Sequence, residues 1–159
     1  SLNLVVGTCK VLLMFCELGL QQTEMAQRGL QWLVDAQLAG GGWGPALSPA
    51  ANPASSHSSR SNVPEQPHSS VEESSIAVEA LVGFHGQGQL VDSALEKGLG
   101  WLVHAVLEGQ YRDSAPIGFY FAKLWYHERL YPQIFAARAL TRTCHLWPAI
   151  PHETVQVAP

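Results

Sequence analysis

Positive charge is scarce in this chain: nine Lys and Arg stand against thirteen Asp and Glu in 159 residues, a formal net charge of −4. No basic stripe is available to neutralise phosphates, which argues against nucleic-acid binding, and an anionic membrane surface would attract the chain only weakly. Unbroken apolar runs are also lacking. The stretch from Leu2 to Leu20 is interrupted by Gly7, Thr8, Lys10, Glu17 and Gly19, which argues against a spanning helix or a secretory signal. With Ser rather than Met in first place, the expectation is a segment of a longer polypeptide. Cysteine is limited to three residues. Cys9 and Cys16 fall on one helical face and Cys144 is distant, so reduced, buried thiols in an intracellular protein are expected. Neither G-x-G-x-x-G nor G-x-x-x-x-G-K-[ST] occurs, and no G-x-S-x-G elbow, so nucleotide binding and hydrolase chemistry have no support. His57, His68, His127, His145 and His152 have no paired Cys and no His four residues away, so no metal site and no cofactor are expected.

What is present is apolar material and a repeat. Hydrophobic residues make up 47% of the chain, enough to bury a real core. The segment Gly29-Leu30-Gln31-Trp32-Leu33-Val34-Asp35-Ala36-Gln37-Leu38 returns 69 residues later as Gly98-Leu99-Gly100-Trp101-Leu102-Val103-His104-Ala105-Val106-Leu107, with seven of ten positions identical. Such a period decides architecture before any motif does. The segments ahead of the two copies, Thr8 to Leu20 and Ser75 to Gln87, are both short, apolar and helix-like.

Each repeat therefore predicts two helices. The first pair spans about 3–19 and 23–38, with Met25, Leu30, Leu33 and Leu38 on one face of the second helix and Gln27, Gln31 and Asp35 on another. Thr23 starts that helix and Gly40-Gly41-Gly42 stops it. The second pair spans about 71–84 and 90–107, with Ser69 or Ser70 as cap and Glu72 and Glu73 favouring the first turn. Residues 45–70, rich in Pro, Ser, Ala and Asn, predict a long surface excursion that cannot repay ordering by burial. From Gly118 to Leu140 the apolar pattern predicts a short helix, a break before Pro132 and a closing helix. The domain is drawn over 1–140, and 141–159 as a C-terminal tail, extended from Pro148.

Arg28 to Gly44 resembles the QW motif of squalene-hopene and oxidosqualene cyclases, in which a helix ends in Gln and a Gly-rich turn delivers a Trp. The resemblance makes Gln37 and Trp43 a structural staple, the Gln amide bonding backbone at neighbouring helix ends and the Trp ring stacking on it. The second copy is degenerate, with Val106 in the Gln position and Tyr111 nearest to the Trp. Val6-Gly7-Thr8-Cys9 resembles the family's Tyr-Gly-Thr-Trp, and Ser69 to Leu81 its Pro-Ser-Thr-Ala-Ser-Gln-Thr-Ala-Trp-Ala-Leu; the Trp is missing from both, at Cys9 and Ala77. Gly118 to Phe121, Tyr126 and Tyr131-Pro132 resemble its C-terminal aromatic segment.

The resemblance implies an all-α fold, helical hairpins forming consecutive wedges of an (α/α)6 barrel. It implies that the complete protein is an isomerase folding a linear, squalene-like isoprenoid into rings by acid-initiated polycyclisation, without metal or nucleotide. The family's acid comes from an Asp-x-Asp-Asp motif. Here Asp35, Asp92 and Asp113 are isolated, so no catalytic residue is assigned, the isolated chain is expected to be inactive, and the upstream half of the polypeptide becomes a required partner. Seven of the fourteen aromatic residues lie between Phe119 and Phe135. Aromatic faces stabilise cations by about 0.5–2 kcal/mol per desolvated contact, which makes Phe119, Tyr120 and Tyr126 the substrate-cavity candidates; core packing is the alternative for such a cluster. A cytoplasmic, peripherally membrane-bound (monotopic) protein is implied. A non-catalytic α/α-toroid binding or scaffold protein is the rival, since one fold hosts many functions.

Overall fold

The structure is a computed structural model and describes residues 3–44, 68–113, 116–119 and 124–146. Five helices carry it: α1 (Leu4–Glu17), α2 (Glu24–Asp35), α3 (Val71–Val82), α4 (Gln89–Leu107) and α5 (Tyr131–Thr143). Side-chain caps set three of the starts. Asn3 accepts the Val6 N–H at 3.1 Å, Thr23 the Ala26 N–H at 3.3 Å, and Ser70 the Glu73 N–H at 3.1 Å, each satisfying a first-turn donor that has no partner within its helix. Pro132 sits in the first turn of α5, where its missing N–H costs nothing.

The helices form two layers. In one, α3 lies between α1 and α5; in the other, α2 packs on α1 and α4, and α4 packs back on α3. Successive hairpins are stacked side by side, as wedges of an α/α barrel require. Every residue of α3 from Val71 to Leu81 is buried. Its apolar members Ile76, Ala77, Val78, Ala80 and Leu81 join Val5, Cys9, Leu12, Leu33, Leu95 and Leu102 in one core. The same helix also buries Glu72, Glu73, Ser74, Ser75 and Glu79. Glu79 is compensated from α5, with Arg138 Nε at 2.7 Å and Arg142 Nε at 3.0 Å from Oε1.

Three expectations need correction. Residues 116–119 and 124–127 form a two-stranded antiparallel ladder, β1 (Pro116–Phe119) and β2 (Leu124–His127), instead of a short helix. A short apolar run does not by itself separate the two conformations, and Ile, Phe, Trp and Tyr fit a pleated backbone well. Met25 is 69% exposed, because the buried stripe of α2 runs through Ala26, Leu30 and Leu33. Cys144 is exposed at the end of α5 and Cys16 half-buried, so only Cys9 is a buried thiol. Glu72 and Glu73 occupy the first turn of α3 as expected, and they lie in the interior. The excursion expected over 45–70 lies outside the described residues except for 68–70, as does the tail from Pro148.

The first hairpin leaves an open apolar groove of ≈ 370 Å³ between α1 and α2, lined by residues including Leu4, Val11, Phe15 and Met25. Among the described residues, no helix is long and apolar enough to cross a membrane.

Candidate functional site

Helix α2 ends at Asp35, and the turn after it touches α2, α3 and α4. Gln37 stands just beyond the helix and donates from Nε2 to the carbonyls of Gly41, at 2.7 Å, and Ala94, at 2.9 Å. The first bond closes the turn; the second ties it to the second turn of α4, using the spare lone pair of a carbonyl within the helix. Leu38 N–H donates to Gly42 O at 2.9 Å and Gly41 N–H to Leu38 O at 2.8 Å. Gly41 has φ +96°, and a Cβ there would stand 2.8 Å from Lys97 O, so both conformation and space demand glycine.

The turn delivers Trp43, which is fully buried. Its indole Nε1 donates to Leu33 O of α2 at 2.8 Å, its backbone N–H donates to Ser74 Oγ of α3 at 2.8 Å, and Ser74 Oγ donates to Trp43 O at 3.1 Å. Ser70 N–H donates to the same carbonyl at 2.9 Å. The edge of the ring rests on α4: a Cβ at Gly98 would lie 2.5 Å from Trp43 Cζ3 and 3.2 Å from Val78 Cγ2. One aromatic residue thus joins α2, α3 and α4 with every polar group of its own satisfied, the condition on which a buried indole stabilises.

The second copy of the turn is a different object. The Val106 side chain can donate nothing and, like Tyr111, packs half-buried against the core. Tyr111 lies in a one-turn 3₁₀ helix, Gln110–Arg112, in contact with α4 and α5. Its hydroxyl accepts from the exposed Arg112 guanidinium at 3.3 Å, and no bond like that from Gln37 to Ala94 is formed among the described residues.

A family model for the squalene-hopene cyclase C-terminal domain matches residues 1–145. The chain belongs to this family. No curated protein and no solved structure matches it.

Within this squalene-hopene cyclase C-terminal domain, the two positions at which the motif resemblance leads one to expect a Trp hold small residues at full burial: Cys9 on α1 and Ala77 on α3 are both 0% exposed. Of the three cavity candidates, Phe119 ends β1 and Tyr126 lies in β2. The register pairs Ile117 with Tyr126 and Phe119 with Leu124, which puts Phe119 and Tyr126 at positions of the same parity in the ladder. Tyr120 lies outside the described residues. The structure brings Gln37 and Trp43 into one turn and Phe119 and Tyr126 into one hairpin.

Two partners of Trp43, Ser74 and Gly98, are not legible as such in the motif. The signal for Gly98 was in the repeat, since glycine inside a helix costs about 0.5–1 kcal/mol relative to alanine. It nevertheless stands at the equivalent place in both copies, as Gly29 and Gly98. A Cβ on Gly29 would stand 3.3 Å from Leu12 Cδ2, so both glycines let another element approach their helix.

Proposed function

We propose that this chain is the C-terminal segment of a class II triterpene cyclase, an isomerase that protonates a linear squalene-like isoprenoid and closes it into rings. Family membership supports the reading, and the single observation that carries it is the Gln37–Trp43 turn, which ties helices of adjacent wedges and so holds a barrel wall rigid around a greasy substrate. The segment supplies wall, not acid. Asp35, Asp92 and Asp113 stand singly, so the Asp-rich proton donor belongs to an upstream half of the polypeptide, and no cofactor enters the scheme. The hairpin residues Phe119 and Tyr126, together with Tyr120, supply polarizable, non-nucleophilic faces to the carbocation. A lipid substrate places the complete protein on the cytoplasmic face of a membrane, as a monotopic protein.

The second reading is a non-catalytic toroid that uses the same wedges as a binding scaffold. The unstapled second turn at Val106 and Tyr111 favours it, because a scaffold tolerates a looser wall than a carbocation does.

Conversion of squalene, followed by mass spectrometry of the extracted lipids, tests the proposal. Residues 1–159 alone should give no cyclic product, and a chain extended upstream through an Asp-x-Asp-Asp motif should give one. In that extended chain Phe119→Leu, Tyr120→Leu and Tyr126→Leu should shift the products toward early-terminated rings, while stability changes by less than about 1.5 kcal/mol. Hopene from residues 1–159 alone would overturn the division of labour. An unchanged product profile in all three variants would make the aromatic cluster packing only.

A further inference from the structure

Helices α1 and α3 belong to successive hairpins, and their contact is the seam between the first two wedges. An acid is buried in it. Glu73 is 5% exposed, its Oε1 accepts from Asn3 Nδ2 at 2.6 Å, and its Oε2 is buried with no hydrogen-bond partner. Asn3 is also the cap of α1, accepting the Val6 N–H on Oδ1, so a single side chain fixes the start of α1 and anchors it to α3. A carboxylate here would have one donor from another side chain, besides its own backbone N–H, and no countercharge within bonding reach. Burying an ion under those conditions costs far more than burying the neutral acid, which needs the same donor and leaves only a hydroxyl unpaired.

The groups around Glu73 do not repair the deficit. On its own stretch of chain Glu72 acts against ionisation and His68 for it. From α1 comes Cys9, whose thiol is held neutral by burial first and then by Glu79 and Glu73. Arg138 and Arg142 of α5 are committed to Glu79, six residues further along α3 and so about 9 Å along its axis. No hydrogen bond or ion pair from α4 reaches Glu73 among the described residues.

We propose that the α1–α3 seam is a proton-linked joint, closed while Glu73 is the neutral acid and loosened when it ionises. In agreement, burial holds the Glu73 carboxyl above the ordinary carboxylate range, against the lowering effect of Asn3 and of its own backbone N–H. The sign of the linkage follows. A carboxyl raised in the folded state contributes stability that is complete below the unfolded value, about 4.3, and is lost as pH rises through the folded value. In that window the folded chain holds one proton more than the unfolded chain at this site, which is worth about tenfold in the folding equilibrium per pH unit.

Glu73→Gln tests the joint in the whole chain, since it keeps the acceptor for Asn3 and removes the titration. Denaturant unfolding of both proteins from pH 4 to pH 9 should show the folding equilibrium constant of the unmodified chain falling relative to that of Glu73→Gln, by up to about tenfold per pH unit within the window. Hydrogen exchange, corrected for its intrinsic pH dependence, should show the α1 amides opening faster relative to those of α4 as pH rises, in the unmodified chain only. Parallel stability profiles would overturn the proposal. Should Glu73→Gln not fold, carboxyl carbon resonances of the unmodified chain decide instead: Glu73 titrating above the other glutamates supports the joint, and titration near 4.3 removes it.

Discussion

The turn after α2 and the turn after α4 descend from the same repeated sequence, and the structure has made a joint of one and a plain connection of the other. In the first, two bonds from Gln37 and four hydrogen bonds at Trp43 and its backbone engage α2, α3 and α4. In the second, Val106 and Tyr111 offer apolar contact and one exposed hydrogen bond. The difference rests on donors. Apolar packing survives replacement of Gln by Val and Trp by Tyr, but packing alone does not fix the direction in which the next helix leaves. The junction of α2, α3 and α4 is pinned at its end, while α5 is held by helix-to-helix packing and by the Glu79 ion pairs.

That contrast can be broken from either side. The largest effect should come from Trp43→Ala, which empties a fully enclosed site and unpairs Leu33 O, and should cost about 3–5 kcal/mol in chemical denaturation. Gln37→Ala should cost about 1–3 kcal/mol. Combined with Trp43→Ala in a double-mutant cycle it should show at least about 0.5 kcal/mol of coupling, because both residues shape one turn; strict additivity would show the staple to be two unrelated contacts. Gly98→Ala, which raises the helix propensity of α4, should nonetheless destabilise by about 1–3 kcal/mol, because its new methyl meets the Trp43 ring. The equivalent Gly29→Ala has only the movable end of Leu12 to displace and should cost less. The smallest effect belongs to the second turn: Tyr111→Phe should change stability by less than about 0.5 kcal/mol.

How far the sequence led depended on whether burial follows a period. The 69-residue repeat and the Gly-rich stops placed four helices to within a few residues, since helix periodicity and caps are local properties. Gln37 and Trp43 were legible because a spaced motif carries them. The closing hairpin was not, because an aromatic run with a proline at one end is compatible with either backbone state until its neighbours are known. Nor were the buried acids of α3. Nothing local distinguishes a first-turn Glu facing water from one facing another helix, and Glu72, Glu73 and Glu79 are interior only because α1 and α5 close over α3 from both sides. Ser74 was invisible for the same reason: its role is defined by Trp43, which approaches from another part of the chain.

The enclosed position of α3 also sets an order of events during synthesis. Glu79 emerges from the ribosome well before the arginines of α5 that pair with it, so a nascent chain that has made α1 to α4 holds a carboxyl without its partners where its interior is to be. The α1–α2 and α3–α4 hairpins can come together at that stage, but α3 reaches its final environment only after α5 has been made. A product ending within α5 before Arg138 would keep much of the apolar surface and lose both ion pairs that Glu79 makes.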